Sequence, residues 1–118
     1  RVFVTILTFF TANFAFGQSS LDKLWDKAFD FYLNKKKFDS SLFYYQQISK
    51  QFPETRPTYI NNQIADCYLE LHDTTNAELF YLKCLAIDKS DDSLGLSQTG
   101  SCFSLSKIYY NRKQFREA

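Results

Sequence analysis

His72, the three cysteines and a scatter of carboxylates are the side chains here that most invite catalysis or metal binding, and their spacing supports neither. His72 is the single histidine and stands beside Asp73. A metal centre or an acid–base pair needs ligands that converge, and no second histidine and no Cys-x-x-Cys pair accompanies it. It reads as a solvated residue at a helix end. Cys67, Cys84 and Cys102 lie 17 and 18 residues apart, which fits no zinc pattern. Cys84 and Cys102 fall at core-type positions, where a thiol serves as a small apolar group; a Cys84–Cys102 disulfide is the alternative. Cys67, next to Asp66, has no activating base beside it. Glycine-rich phosphate loops, Gly-x-Ser-x-Gly and His-Glu-x-x-His are all missing from the sequence. No enzyme, metal or cofactor is therefore expected. Lys35-Lys36-Lys37 is a basic run at a helix C-terminus, where cations complement the helix dipole. With a net charge of only +1, no nucleic-acid partner is expected either.

Spacing of a different kind recurs. Tyr32 to Ser41, Tyr68 to Ala77 and Tyr109 to Ala118 are each nine residues, tyrosine to small residue. The tyrosines themselves lie 36 and then 41 residues apart. The interval inside each unit is fixed and the length variation falls between units, as in a stack of helical hairpins. The first unit sets Trp25, Ala28, Phe29 and Tyr32 at helical spacing, followed by Phe38, Ser41, Tyr45 and Ile48, and closed by Pro53. The second keeps Ile64, Ala65, Tyr68, Ala77, Tyr81 and Cys84. The third keeps Leu105, Ser106, Tyr109, Phe115 and Ala118, with Cys102 in the tryptophan position. Small residues in this register (Ala28 with Ser41, Ala65 with Ala77, Ser106 with Ala118) allow two helices to approach closely. The aromatic side chains fill the space between one hairpin and the next.

This pattern resembles the tetratricopeptide repeat over roughly residues 21–118. The fold class expected is all-α, a right-handed solenoid of helical hairpins with about two and a half repeats, at about 22–55, 58–90 and 99–118. Only three glycines and two prolines in 118 residues leave little turn chemistry for a β-sandwich or barrel. The helices are expected at about Asp22–Lys36 behind a Ser19-x-x-Asp22 capping box, Phe38–Gln51, Pro57–His72, Thr75–Asp88 behind a second capping box, and Leu96–Arg112. A sixth is expected to begin near Gln114. Residues 89–93 form a polar connector. An array of this kind buries its faces only against neighbours, so the chain is expected to be a piece of a longer protein.

Residues 1–16 carry one charge, Arg1, and then an apolar stretch ending in Ala15-Phe16-Gly17. Small residues around Phe16 fit a secretory cleavage site before Gln18. The domain reading is thus a signal peptide at 1–17 and the repeats at 18–118, an uncleaved membrane anchor being the alternative. Export to the periplasm or cell envelope follows.

The resemblance implies a concave surface lined by the first helix of each hairpin. Its residues would be Lys23, Asp26, Lys27, Asp30 and Leu33, then Tyr59, Asn62, Asp66 and Leu69, then Phe103, Lys107 and Tyr110. Some family members grip a peptide's C-terminal carboxylate with Lys and Asn at such places; Asp26, Asp30 and Asp66 set negative charge against that. The surface instead suits an extended or helical peptide of a protein partner. A leader followed at once by repeats is similar to the sensory N-terminal part of bacterial regulators. A cell-envelope assembly scaffold and the docking arm of an enzyme are the alternatives.

Overall fold

The computed structural model describes residues 19–87 and 95–117, and all secondary structure among them is helical. Helix α1 is α-helical over 19–29 and widens into a π turn at Asp30–Asn34. Helices α2 (Phe38–Gln51), α3 (Pro57–Glu70), α4 (Thr74–Leu85) and α5 (Leu96–Glu117) follow. Consecutive helices pack on one another, and α3 also touches α5. The result is an all-α stack in which each hairpin shields the next helix.

Local chemistry sets the helix ends. Lys35 N–H reaches back five residues to the Asp30 carbonyl at 3.0 Å, and Lys37 N–H to the Phe31 carbonyl at 2.8 Å. Lys36 between them takes a left-handed φ of 54°. α3 stops in a Schellman turn: Asp73 N–H bonds the Tyr68 carbonyl and His72 N–H the Leu69 carbonyl, with His72 at φ 63°. Asp73 then caps α4, its carboxylate accepting from Asn76 N–H at 3.1 Å and from the Asn76 amide at 2.7 Å. Pro57 opens α3, where its missing N–H leaves no bond unmade.

Two cores result, and α3 supplies both. One face gives Ile60, Ile64 and Cys67 to a cluster with Ala28, Tyr45 and Ile48; the other gives Ala65 to a cluster with Ala77, Tyr81, Leu105 and Ile108. Tyr68 and Phe80, stacked at 5.6 Å, pack against both. Tyr45 and Tyr81 are the largest fully buried side chains. Complete burial of side chains this large contributes about 1.5–3 kcal/mol each. Trp25 lies against Phe29, Tyr45 and Tyr59 at 5.7, 6.2 and 5.7 Å, joining α1 to both α2 and α3. The small residues sit where helices cross: Ser41 is fully buried and its hydroxyl donates to the Ala28 carbonyl at 2.8 Å, and Ala65 and Ala77 are equally buried.

The third unit departs from expectation. α5 is one continuous helix to Glu117, so the break near Lys113 and the sixth helix from Gln114 do not form among the described residues. The segment Asn111-Arg112-Lys113-Gln114 has no helix breaker and Lys113 pairs with Glu117 four residues on. Cys102, Ser106 and Phe115 are exposed accordingly, not core. Cys67, Cys84 and Cys102 form no disulfide, Cys67 and Cys84 being buried and Cys102 exposed, which removes the expected alternative of a Cys84–Cys102 bridge. Ser19 already lies inside α1, and Asp73, not Thr75, caps α4, because its carboxylate takes both Asn76 donors. Pro53 follows α2 in a turn, as expected. The leader, the 89–93 connector and Ala118 lie outside the described residues.

Candidate functional site

Phe103, Lys107 and Tyr110 recur at i, i+4 and i+7 along α5, and so share one side of that helix. The opposite side, with Ser101, Leu105 and Ile108, is spent on α3 and α4. Tyr109 and Arg112 fasten α5 laterally, both donating to the Glu78 carboxylate on α4. Held this way, α5 leaves two adjoining clefts against α3 and the start of α4. The first, of about 260 Å³, is lined by Leu69, Phe103, Ser104, Lys107, Ile108 and Asn111. The second, of about 420 Å³, runs from Leu69, Ile108 and Asn111 past Thr74 and Thr75 to Arg112, Phe115 and Arg116. Phe103 is 67% exposed at the first cleft and Phe115 86% at the second, so each has an aromatic wall open to solvent, and Tyr110, 62% exposed, stands beside Phe103 and Lys107 just outside them. The Lys107 ammonium stands 5.4 Å from the centre of the Phe103 ring.

Of the twelve residues expected on a concave face, Leu69, Phe103 and Lys107 line one cleft, and Tyr110 adjoins Phe103 and Lys107 beside it; Tyr59 and Asn62 border a separate hollow of about 310 Å³ with Leu96 and Ser97. Three from the middle unit are used inside the stack. Asn62 is buried and its amide donates to the Ser97 carbonyl at 3.0 Å and the Ser101 hydroxyl at 2.9 Å, tying α3 to α5. Tyr59 packs on Trp25 and lies under the Arg56 guanidinium at 4.4 Å, and burial pushes its hydroxyl pKa up. Asp66 accepts the Tyr81 hydroxyl. Desolvation raises the Asp66 carboxyl above its ordinary value, against the downward pull of that hydrogen bond.

The first unit takes no part in the clefts. Lys27 reaches over the Tyr44 ring of α2 at 5.3 Å. Asp30 accepts from Asn34 at 2.9 Å and pairs with Lys35 at 3.0 Å, bonds that hold its carboxyl below the usual range. Lys23, Asp26 and Leu33 are exposed on α1. Residues that sequence reasoning passed over are Asn111, Arg112, Arg116 and Phe115 as cleft walls. Asn111 continues the Phe103–Lys107 step of four, a signal hidden by the expected helix break just beyond it.

Burial lifts the Cys67 thiol to about 12, which leaves it protonated and inert. No group of three or more His, Cys, Asp or Glu among the described residues is placed to hold a metal. No helix among them is long and apolar enough to cross a membrane. The arrangement offers apolar and cationic contact surface.

Sequentially packed helical hairpins define a helical-repeat module of the protein–protein interaction type. The tetratricopeptide repeat family profile matches residues 58–91, the stretch that contains α3 and α4, so a tetratricopeptide-type repeat occupies the middle of the chain. No curated protein and no solved structure matches the chain.

Proposed function

We propose that the surface between α3 and α5 receives a polypeptide segment of a protein partner, and that the chain performs no catalysis of its own. The observation that carries this reading is the pair of exposed aromatic side chains, Phe103 at one cleft and Phe115 at the other, on adjoining clefts that share Leu69, Ile108 and Asn111. Contiguous exposed apolar surface on a folded protein marks an interaction site. A groove between helices accepts an extended or helical segment.

The same reading extends to the chain's setting. The apolar stretch ending in Ala15-Phe16-Gly17 supports export to the cell envelope with removal of residues 1–17. Repeats placed directly behind such a leader support a sensory or scaffolding part of a larger regulator.

Binding is tested by selecting from a displayed library of natural protein segments on the purified chain, and mapping each selected segment by hydrogen exchange. Protection should appear on the cleft side of α3 and α5. Selection of nothing, or protection confined to α2 and α4, overturns the proposal. Export is tested by N-terminal sequencing after expression in a Gram-negative host. A mature chain beginning at Gln18 is expected, and a membrane-bound product that retains residues 1–17 would overturn it in favour of an anchor.

A further inference from the structure

We infer that the segment received by the two clefts is acidic and carries aromatic or large aliphatic anchors. This rests on the binding role proposed above and adds the partner's chemistry. Every charged side chain among the described residues that line the clefts is a cation: Lys107 in one, Arg112 and Arg116 in the other. Glu78 holds Arg112. Lys107 and Arg116 are paired with no carboxylate among the described residues, and Lys107 keeps its ammonium above the Phe103 ring.

Two of the three carboxylates that sequence reasoning set against an acidic partner are engaged elsewhere: Asp30 is neutralised by Lys35 at the end of α1, and Asp66 is bonded to Tyr81. The third, Asp26, is exposed on α1 and lines neither cleft. A carboxylate arriving at the clefts is therefore attracted by Lys107 and Arg116, Arg112 being already held by Glu78, while a basic segment would be repelled by those two cations. Between those two cations lie apolar walls, Leu69, Ile108 and Phe115, which need an apolar anchor to exclude water. Asn111 borders both clefts and offers an amide to a peptide backbone.

The experiment uses two fluorescent synthetic peptides with amidated C-termini, identical in their tryptophan and leucine positions, one with glutamates between them and the other with lysines. Amidation removes the terminal carboxylate as a source of binding. By fluorescence polarisation on the full chain, the glutamate peptide should bind about tenfold tighter or more, with an advantage that shrinks in high salt. Lys107→Glu combined with Arg116→Glu should reverse the preference. Phe103→Ala should weaken the glutamate peptide by about fivefold or more. All three positions are exposed, and unchanged melting of the variants verifies that the fold is kept. Equal binding of the two peptides, a preference that survives the double charge reversal, or self-association of the chain through α5 overturns the inference. If neither designed peptide binds, the composition of the library-selected segments decides: enrichment in Asp and Glu with aromatics supports it, and any other composition sinks it. Library segments protected on α3 and α5 but not acidic would leave the binding role standing and remove only its charge preference.

Discussion

Asn62→Ala separates an amide that belongs to the stack from one that waits for a partner. Asn62 lies at the register expected of a groove residue, yet it is only 8% exposed and donates two hydrogen bonds to α5, at 3.0 and 2.9 Å. Each such bond contributes about 1 kcal/mol net, so truncation should cost about 2 kcal/mol with no partner present. For a domain of about a hundred residues that loss lowers the melting temperature by about 8–16 °C. Asn111→Ala is the matched control, since that amide is exposed at the clefts, and it should change stability by no more than about 0.5 kcal/mol. Ser101→Ala removes one of the two acceptors. The double variant Asn62→Ala/Ser101→Ala should therefore fall short of additivity by about 1 kcal/mol. Thermal and urea denaturation of the parent and the four variants provide the assay. If Asn62→Ala melts with the parent, or Asn111→Ala proves as costly, Asn62 is not the strut between α3 and α5, and the assignment of those two helices as packed neighbours fails with it.

Ala77 is fully buried where α4 crosses α3, so Ala77→Leu should cost about 1–3 kcal/mol by overpacking, whereas Ala86→Leu at the exposed end of α4 should be far milder; equal thermal shifts would contradict the packing. A thiol reagent should label Cys102 quickly in the native chain and Cys67 and Cys84 only on unfolding; fast reaction of Cys67 would refute its burial. Two carboxyls give opposite pH signs. The Arg112 hydrogen bond depresses the Glu78 pKa, so its contribution is present above the ordinary value of 4.5 and fades as pH falls below it; Glu78→Gln should remove that acid sensitivity of α5. Desolvation raises the Asp66 pKa, so its charged form opposes folding as pH climbs above 3.8; Asp66→Asn should stabilise the chain at neutral pH and lose that advantage in acid, and a neutral or harmful effect at pH 7 would contradict it. Glycine at Lys36 or His72 should stabilise by up to about 1 kcal/mol by relieving a left-handed backbone, while Lys113→Gly should destabilise α5 by a similar amount; stabilisation by all three would mean that the chain turns at Lys113 as well.

The register of the hairpins was legible because it is imposed by contact. A tyrosine and a small residue nine positions on must both face the neighbouring helix, and Ser41 and Ala77 are indeed completely buried. The inner surface was legible only in part. Periodicity places Asn62 on the correct side of α3 but is blind to how near α5 comes. Ser97, Gly100 and Ser101 keep that side of α5 narrow; even a methyl group at Gly100 would sit 3.7 Å from the Asn62 amide, and the side chain is engulfed. Tyr59 and Asp66 are drawn to other helices, Tyr59 to Trp25 of α1 and Asp66 to Tyr81 of α4, contacts that periodicity along α3 does not reveal. Phe103, Lys107 and Tyr110 stay exposed on α5, on the side away from Leu105 and Ile108.

The third turn shows what a repeat register can and cannot dictate. Lys36, His72 and Lys113 each lie four residues after the unit's tyrosine. The first two adopt the left-handed conformation and the third stays helical. None of the three is glycine or asparagine; histidine enters the left-handed region more readily than lysine, yet Lys36 adopts it and Lys113 does not, so residue type alone does not decide, and a left-handed backbone costs about 1–2 kcal/mol. That cost is offset only where the chain beyond the turn gains packing. After Lys36 it does so at once, with Phe38 edge-on to Tyr32 at 5.2 Å and Ser41 bonded to Ala28. After His72 the gain comes from the Asp73 cap and the burial of Ala77 and Tyr81. After Lys113 the residues Gln114, Phe115, Arg116 and Glu117 bury nothing comparable, and their helix propensity with the Lys113–Glu117 pair carries α5 straight on. The turn is therefore written in what packs behind it more than in the turning residue, and a sequence pattern that marks the tyrosines locates where a turn can form without deciding that it does.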